Sequence, residues 1–328
     1  MISYCVFIFS LPDERKAMNL RWINSNCVRI SGGLFSLMLV SSLCVTGWTA
    51  DPEKTSVFPV HLQKRVENQA GKSHPVKESV YWKPEQTAII VCDMWDDHTC
   101  KQAARRVAEM APHMNKTLNA ARKKGVFIIH APSGRMNFYD GTPERQRALD
   151  APFAEAPLDF KWKYWNDEKE GAPLPFVRAG GCGCKVNCKG WEPDETGLRH
   201  WKGEKIPWTR QIKTIEIADE DAISDNGQEI YNLLEAKGIK NVVLMGVHTN
   251  LCVCGRPFGL SQMVCQGKNA VLCRDLTDSL FQQNNPPLSH FRGTELVIEH
   301  IEMKICPTIT STTFTGKPAF RFDETATH

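Results

Sequence analysis

Several absences in the sequence narrow what the protein can be. There is no dense basic run: 40 Lys and Arg stand against 37 Asp and Glu, a formal net charge of +3. A surface built to neutralise a nucleic-acid backbone is therefore not expected. Beyond the N-terminal region no apolar stretch approaches the roughly 18 residues that a membrane span needs. No internal repeat shows, and no C-x2-C pair marks a structural zinc site. With 42% hydrophobic and 23% charged residues over 328 positions, disorder, collagen and coiled coil are excluded as well. The length suits one large domain or two small ones, and either can bury a sizeable core.

Cysteine, by contrast, is plentiful, with thirteen in the chain. Three lie within residues 1–50, which read as a targeting segment rather than as fold. Arg21 and Arg29 precede the short apolar run 33–45, and Gly47 and Ala50 offer small residues before the charged Asp51-Pro-Glu-Lys54. That order describes a secretory signal peptide and an exported protein, periplasmic or extracellular, with no stable membrane span after processing. Met18 stands where such a peptide would begin; an uncleaved anchor or a buried helix is the competing reading. Ten cysteines remain after residue 50. Cys182, Cys184 and Cys188 share one loop, where a disulfide or free thiols are expected ahead of a metal site.

Residues 51–84 read as an irregular N-terminal arm, and 85–328 as one domain with a long loop insertion at about 131–210. Continuous apolar, β-branched runs at 87–92, 126–130 and 241–246 predict strands buried on both faces, with further strands at 214–217, 270–274 and 296–298. Helical spacing predicts helices over about 101–124, kinked or split at Pro112, and over 224–237 and 257–266. This alternation indicates an α/β fold with a mainly parallel sheet covered on both faces. Sites in such sheets form at the carboxyl ends of the strands, which selects Asp93, His130 and the loop 247–252.

Cys252 follows a strand and precedes a helix, an arrangement whose amides and dipole favour a thiolate. Asp93 ends a neighbouring strand and is placed to take the thiol proton and return it. Backbone N–H groups of the 248–252 turn are candidate oxyanion donors. A cysteine in an apolar core is the bland alternative.

The run Asn241-Val-Val-Leu-Met-Gly-Val-His-Thr-Asn-Leu-Cys-Val253 resembles the signature of the isochorismatase-like cysteine hydrolases, which include the nicotinamidases. Ala88-Ile-Ile-Val-Cys-Asp-Met94 is similar to the family's first strand, and Arg274-Asp-Leu-Thr-Asp-Ser279 to a later one, so the resemblance spans about 85–280. It implies a three-layer α/β/α domain and a Cys/Asp/Lys triad that cleaves amides or related bonds. Cys252 would be the nucleophile, Asp93 the proton shuttle, and Val247–His248 a cis peptide. The family's lysine follows the third strand, where this chain has Ala218 or Asp219; Lys213 is taken as the candidate, with Arg210 the other nearby cation. Where nicotinamidases carry a metal-binding Asp-x-His, this chain has His130-Ala-Pro-Ser-Gly134, so neither a bound metal nor a cofactor is expected.

Trp95, His98, His130, His248, Asn250 and Arg256 are the candidate substrate-binding residues. Trp95 would cover a small substrate together with Phe138 and Tyr139, and Arg256 would bind an anionic group or cap the helix entrance. Asp96, Asp97 and His98 form either a metal cluster or, more simply, a hydrogen-bonded turn. A small molecule is the expected partner, nucleic acid is not, and homo-oligomerisation stays open. Two other classes compete with the hydrolase: a catalytically weak binding or structural protein that keeps the fold, and a redox or metal-binding protein using Cys182, Cys184 and Cys188.

Overall fold

The computed structural model describes residues 57–157, 159–160, 188, 190–193, 199–203, 205–280 and 289–323. Residues 1–50, which the sequence suggests are a targeting segment, and Cys182 and Cys184 of the cysteine loop lie outside these residues.

The elements in chain order are β1 (Phe58–Glu67), β2 (Ser73–Trp82), β3 (Thr87–Cys92), α1 (Lys101–Arg122), β4 (Phe127–Ala131), α2 (Pro143–Leu149), β5 (Trp191–Pro193) and β6 (Arg199–Trp201). They continue with β7 (Ala222–Ile223), α3 (Gly227–Ala236), β8 (Asn241–Val247), α4 (Leu260–Cys265), β9 (Asn269–Asp278), α5 (His290–Lys304), β10 (Thr308–Ile309) and α6 (Thr312–Thr315). The main sheet has the order β2-β1-β10-β9-β8-β3-β4-β7; β5 and β6 pair separately. From β10 to β7 the neighbours are parallel, while β1 is antiparallel to both β10 and β2.

Alternate residues of the central strands feed two cores. Ile90, Ile129, Leu244 and Leu272 face α3, α4 and α5, whose Leu234, Met263 and Val297 pack on them. Ile89, Ile128, Met245 and Val271 face the other way, onto Val107, Met114 and Leu118 of α1. A strand buried on both faces needs this unbroken apolar run, because each residue meets a different helical layer. The result is the expected three-layer α/β/α architecture. No helix among the described residues is long and apolar enough to cross a membrane.

Four expectations are corrected. The arm 51–84 is not irregular where it is described: β1 and β2 form a hairpin that widens the sheet, with Phe58 and Val60 buried at period two. Its turn is closed by the Asn68 side chain, which accepts from the Ala70 and Lys72 amides. Residues 214–217 form no strand; Ile215 alone is buried there, its amide donating to the Ile212 carbonyl in a turn, and the strand lies at β7. The apolar triplet 296–298 belongs to α5, where Gly293, Thr294, Val297 and Ile301 make one buried helical face and Ser289 caps the start. Finally, α1 is not split at Pro112, which lies on its solvent side. A proline is best tolerated within a helix on such an exposed face, where a carbonyl left without its usual donor can be hydrated.

The site's location follows from the connections. From β3 the chain proceeds to β4 and then β7 on one side, before returning to β8 on the other side of β3. The carboxyl ends of β3 and β8 therefore flank the point where strand order reverses, and the chain diverges there to leave a crevice. Asp93 directly follows β3, and the loop carrying Cys252 follows β8.

Candidate functional site

Backbone geometry shapes both walls of the crevice. Gly246, at φ 114°, pairs with Cys92 so closely that a Cβ would lie 2.0 Å from the Cys92 carbonyl oxygen. The following Val247–His248 peptide is cis, as the resemblance implies. Residues Thr249–Val253 then make one π-helical turn that carries Cys252, and the helix expected over 257–266 is confined to α4. Across the crevice Asp93 takes a left-handed backbone conformation, φ 49°, which turns its carboxylate toward the nucleophile loop.

The Cys252 thiol and the Asp93 carboxylate lie close enough that each shifts the other's proton affinity, and the His248 amide also acts on the sulfur. Asp93 Oδ1 accepts from the Ser133 amide at 2.8 Å. Its Oδ2 receives two guanidinium contacts from Arg256, at 3.4 Å from Nε and 3.3 Å from Nη2. Asp93 is wholly buried and Cys252 only 6% exposed.

Burial, and then the Asp93 charge, push the Cys252 thiol well above its ordinary range, against the pull of Arg256 and the His248 amide. Burial also raises Asp93, opposed by Arg256, the Cys252 thiol and Ser133. A carboxylate raised from its usual range is a better base, while burial raises the thiol in the same direction.

The other predicted residues divide. Lys213 is exposed on the turn after Gln211; the cation that reaches Asp93 is Arg256 instead, from the nucleophile's own side. Arg210 pairs loosely with Asp96, at 4.0 Å. His130 is buried with Nδ1 on Gln211 and Nε2 on Asp221, both at 2.9 Å, and Asp221 in turn holds Arg122 at 2.5 Å. Both ring nitrogens are thus committed to the scaffold, which removes His130 as a substrate ligand. Asn250 is likewise structural: its amide donates to the Leu280 carbonyl and its oxygen accepts from the Leu280 amide, each at 2.9 Å. It ties the π-turn to the chain beyond β9.

The Asp96–His98 cluster is a hydrogen-bonded turn. Asp96 takes the Thr209 amide and hydroxyl, Asp97 holds Lys101, and His98 Nδ1 accepts from the Cys100 amide. Among the described residues no group of three or more His, Cys, Asp or Glu is arranged to hold a metal. Tyr139 is buried, its hydroxyl accepting from the Gln211 amide, whereas Phe138 lies exposed under Arg210.

Trp208 and Ser133 escaped sequence reasoning. Trp208 belongs to a strap, anchored by Asp96 to Thr209, by Met94 to Ile212 and by Arg135 to the Trp208 carbonyl. Its indole stacks on Trp95 at 4.6 Å and on His98 at 5.3 Å, and His98 meets His248 edge-on at 4.9 Å. The only available signal was tryptophan in a long insertion, which does not reveal which tryptophan returns to the sheet. Near this rim lies a cavity of about 600 Å³ lined by Phe153, Phe160, Asp225, Gly227 and Pro257, the last adjoining Arg256.

Burial pushes His248 down to about 3, helped by neighbouring His98, and burial also lowers His98. In the unfolded chain both imidazoles take up protons below about pH 6.5. The folded chain resists that uptake, so folding stability falls as pH drops through the interval between 6.5 and the lowered values. A second loss follows at Asp278: burial pushes its carboxyl up, but Arg106 at 2.8 Å and His290 at 2.6 Å outweigh it and hold the group well below its ordinary range. Its stabilising charge is present above about pH 4 and lost further into acid. Urea midpoints are expected to decline steadily from pH 7 to 4, with a shallower decline for His248→Gln; a flat wild-type profile would refute this account.

No family model and no curated protein matches the chain. Among solved structures it is similar to a cysteine hydrolase from Pseudomonas syringae pv. phaseolicola, at 14% identity and TM-score 0.42, over 70% of this chain and 91% of the other. It is similar to an isochorismatase family protein from Burkholderia thailandensis, at 11% identity and TM-score 0.39, over 71% and 95%. A third is N-carbamoylsarcosine amidase from Thermoplasma acidophilum, at 11% identity and TM-score 0.32, over 69% and 96%. These likenesses concern fold at low identity, and the chemistry of this chain has to be judged from its own site.

Proposed function

We propose that the protein is a thiol hydrolase that cleaves a small amide or related carbon–nitrogen bond through an acyl-enzyme on Cys252. The observation that carries this reading is the convergence of the buried Cys252 thiol and the Asp93 carboxylate at the strand-order reversal, close enough to shift each other, with the carboxylate fixed by Ser133 and Arg256. Substrate binding expels water and brings a carbonyl carbon to the sulfur. The thiol proton passes to Asp93 as the C–S bond forms, and amides of the 248–252 turn receive the developing oxyanion. Collapse breaks the C–N bond, and Asp93 returns its proton to the leaving nitrogen. Water, deprotonated by Asp93, then releases the acid and restores the thiol. Trp95, Trp208, His98 and neutral His248 form the flat wall against which a small planar group would lie; Arg256 stands at the opening.

The test is amine or ammonia release from a panel of small amides and ureido compounds, with intact mass spectrometry of the protein. Wild type is expected to release amine and to accumulate an acyl adduct at Cys252, while Cys252→Ala does neither and melts normally. Undiminished turnover by Cys252→Ala, or adducts only on other cysteines, would reject the mechanism. Failure of wild type on the whole panel would favour the binding-protein alternative.

A further inference from the structure

We propose that Arg256 is the positioning residue that keeps the Cys252–Asp93 pair anionic, with one shared proton, and so favours transfer of the thiol proton to the carboxylate. The inference rests on the proposed role of Cys252 and Asp93, and adds a third member from a place where the family resemblance puts none.

Three features of the geometry support it. First, both Arg256 contacts fall on Asp93 Oδ2, at 3.3 and 3.4 Å, leaving Oδ1 to the Ser133 amide. Second, the Arg256 amide donates to the Cys252 carbonyl at 3.0 Å, so nucleophile and cation sit one helical turn apart on the same rigid segment. That segment is closed behind them: the Gly259 amide donates to the Arg256 carbonyl at 2.7 Å, and a Cβ at Gly259 would meet backbone within 2.9 Å. Third, the Arg256 side chain is 20% exposed whereas Asp93 has no exposure, so the guanidinium reaches inward from the rim onto a buried carboxylate. Among the described residues no other Lys or Arg forms an ion pair with Asp93; Arg106 is committed to Asp278 and Arg122 to Asp221.

The charge balance explains why such a cation is needed. With one proton between them, thiol and carboxyl carry a net charge of −1 in a buried site, which is unfavourable unless an opposite charge lies against it. Without Arg256 the pair would take up a second proton at a higher pH, leaving a neutral acid beside a neutral thiol. Arg256 lowers Cys252, Asp93 and the adjacent Cys92 alike, in keeping with a cation that serves the whole pocket. Guanidinium also differs from lysine in kind, because it stays charged beyond pH 12. The wild-type site should therefore show no alkaline loss of its cation.

The experiment follows iodoacetamide alkylation of Cys252 against pH, with fragmentation separating it from Cys254 in the same peptide, and needs no substrate. Arg256→Met is expected to slow alkylation at pH 7.5 at least tenfold and to move its midpoint up by a pH unit or more. Arg256→Lys should restore the rate to within about threefold of wild type near neutrality, but fall off above pH 10 as the ammonium deprotonates. Profiles for Met and Lys variants that superimpose on wild type would overturn the proposal. If Arg256→Met does not fold, Arg256→Lys decides alone: an alkaline fall-off supports the role, and its absence rejects it. Absence of turnover with these alkylation shifts intact would count against the hydrolase reading only.

Discussion

Gly246→Ala is expected to lose at least about 3 kcal/mol of folding stability, and the reactive site with it. Two costs coincide at this position. At φ 114° an L side chain is strained wherever it has room. Here it has none, because the new Cβ would lie 2.0 Å from the Cys92 carbonyl oxygen, 2.9 Å from its carbon and 3.0 Å from its nitrogen. All three are backbone atoms of a central strand, so no side-chain rotation relieves the contact; β3 and β8 have to separate. Those strands are the ones whose ends carry Asp93 and the Cys252 turn, and the Cys92–Gly246 pairing sets the spacing between them. Denaturant unfolding and Cys252 alkylation should therefore fail together. A Gly246→Ala protein with the wild-type midpoint and wild-type alkylation would show that the strands are held apart by something else.

The same contact explains why the centre of the fold was legible and its margins were not. The runs 87–92, 126–130 and 241–246 are apolar at every position because each strand is covered on both faces, and few other environments produce that pattern. Once they were placed, the rule for parallel sheets brought Asp93 and Cys252 to one rim without further information. The hairpin of β1 and β2 was hidden because only Phe58, Val60 and Trp82 are buried, and most of β2 faces water. Helix α5 was misread because Leu296, Val297 and Ile298 are adjacent in the chain, although only Val297 belongs to the buried face.

Side-chain roles were harder still. His130 and Asn250 sit where ligands would sit, but burial obliges their polar atoms to find partners, and the nearest partners are structural. Which cation serves a carboxylate depends on side-chain reach rather than on order along the chain. Arg256 reaches Asp93 from the turn that bears the nucleophile, whereas Lys213, chosen as a cation just upstream of a supposed strand, is exposed.

Asp93→Asn should separate two properties that ordinarily fall together, with turnover dropping about a hundred- to ten-thousand-fold while Cys252 becomes easier to alkylate. Asparagine suits the site better than alanine would, since it tolerates the left-handed conformation that Asp93 adopts at φ 49°. Its side-chain oxygen can still accept from the Ser133 amide, so the loop should keep its course. What disappears is the negative charge and the proton acceptor. Burial raises the Cys252 thiol most, but Asp93 raises it next, and Arg256 opposes both. Removing the carboxylate leaves the guanidinium facing the sulfur without a competitor, so the alkylation midpoint should fall by about a pH unit or more. Catalysis nevertheless suffers, because no group remains to hand a proton to the leaving nitrogen or to deprotonate the deacylating water. An Asp93→Asn protein that lost both alkylation and turnover would indicate a carboxylate needed to form the thiolate itself. One that kept full turnover would remove Asp93 from the reaction altogether.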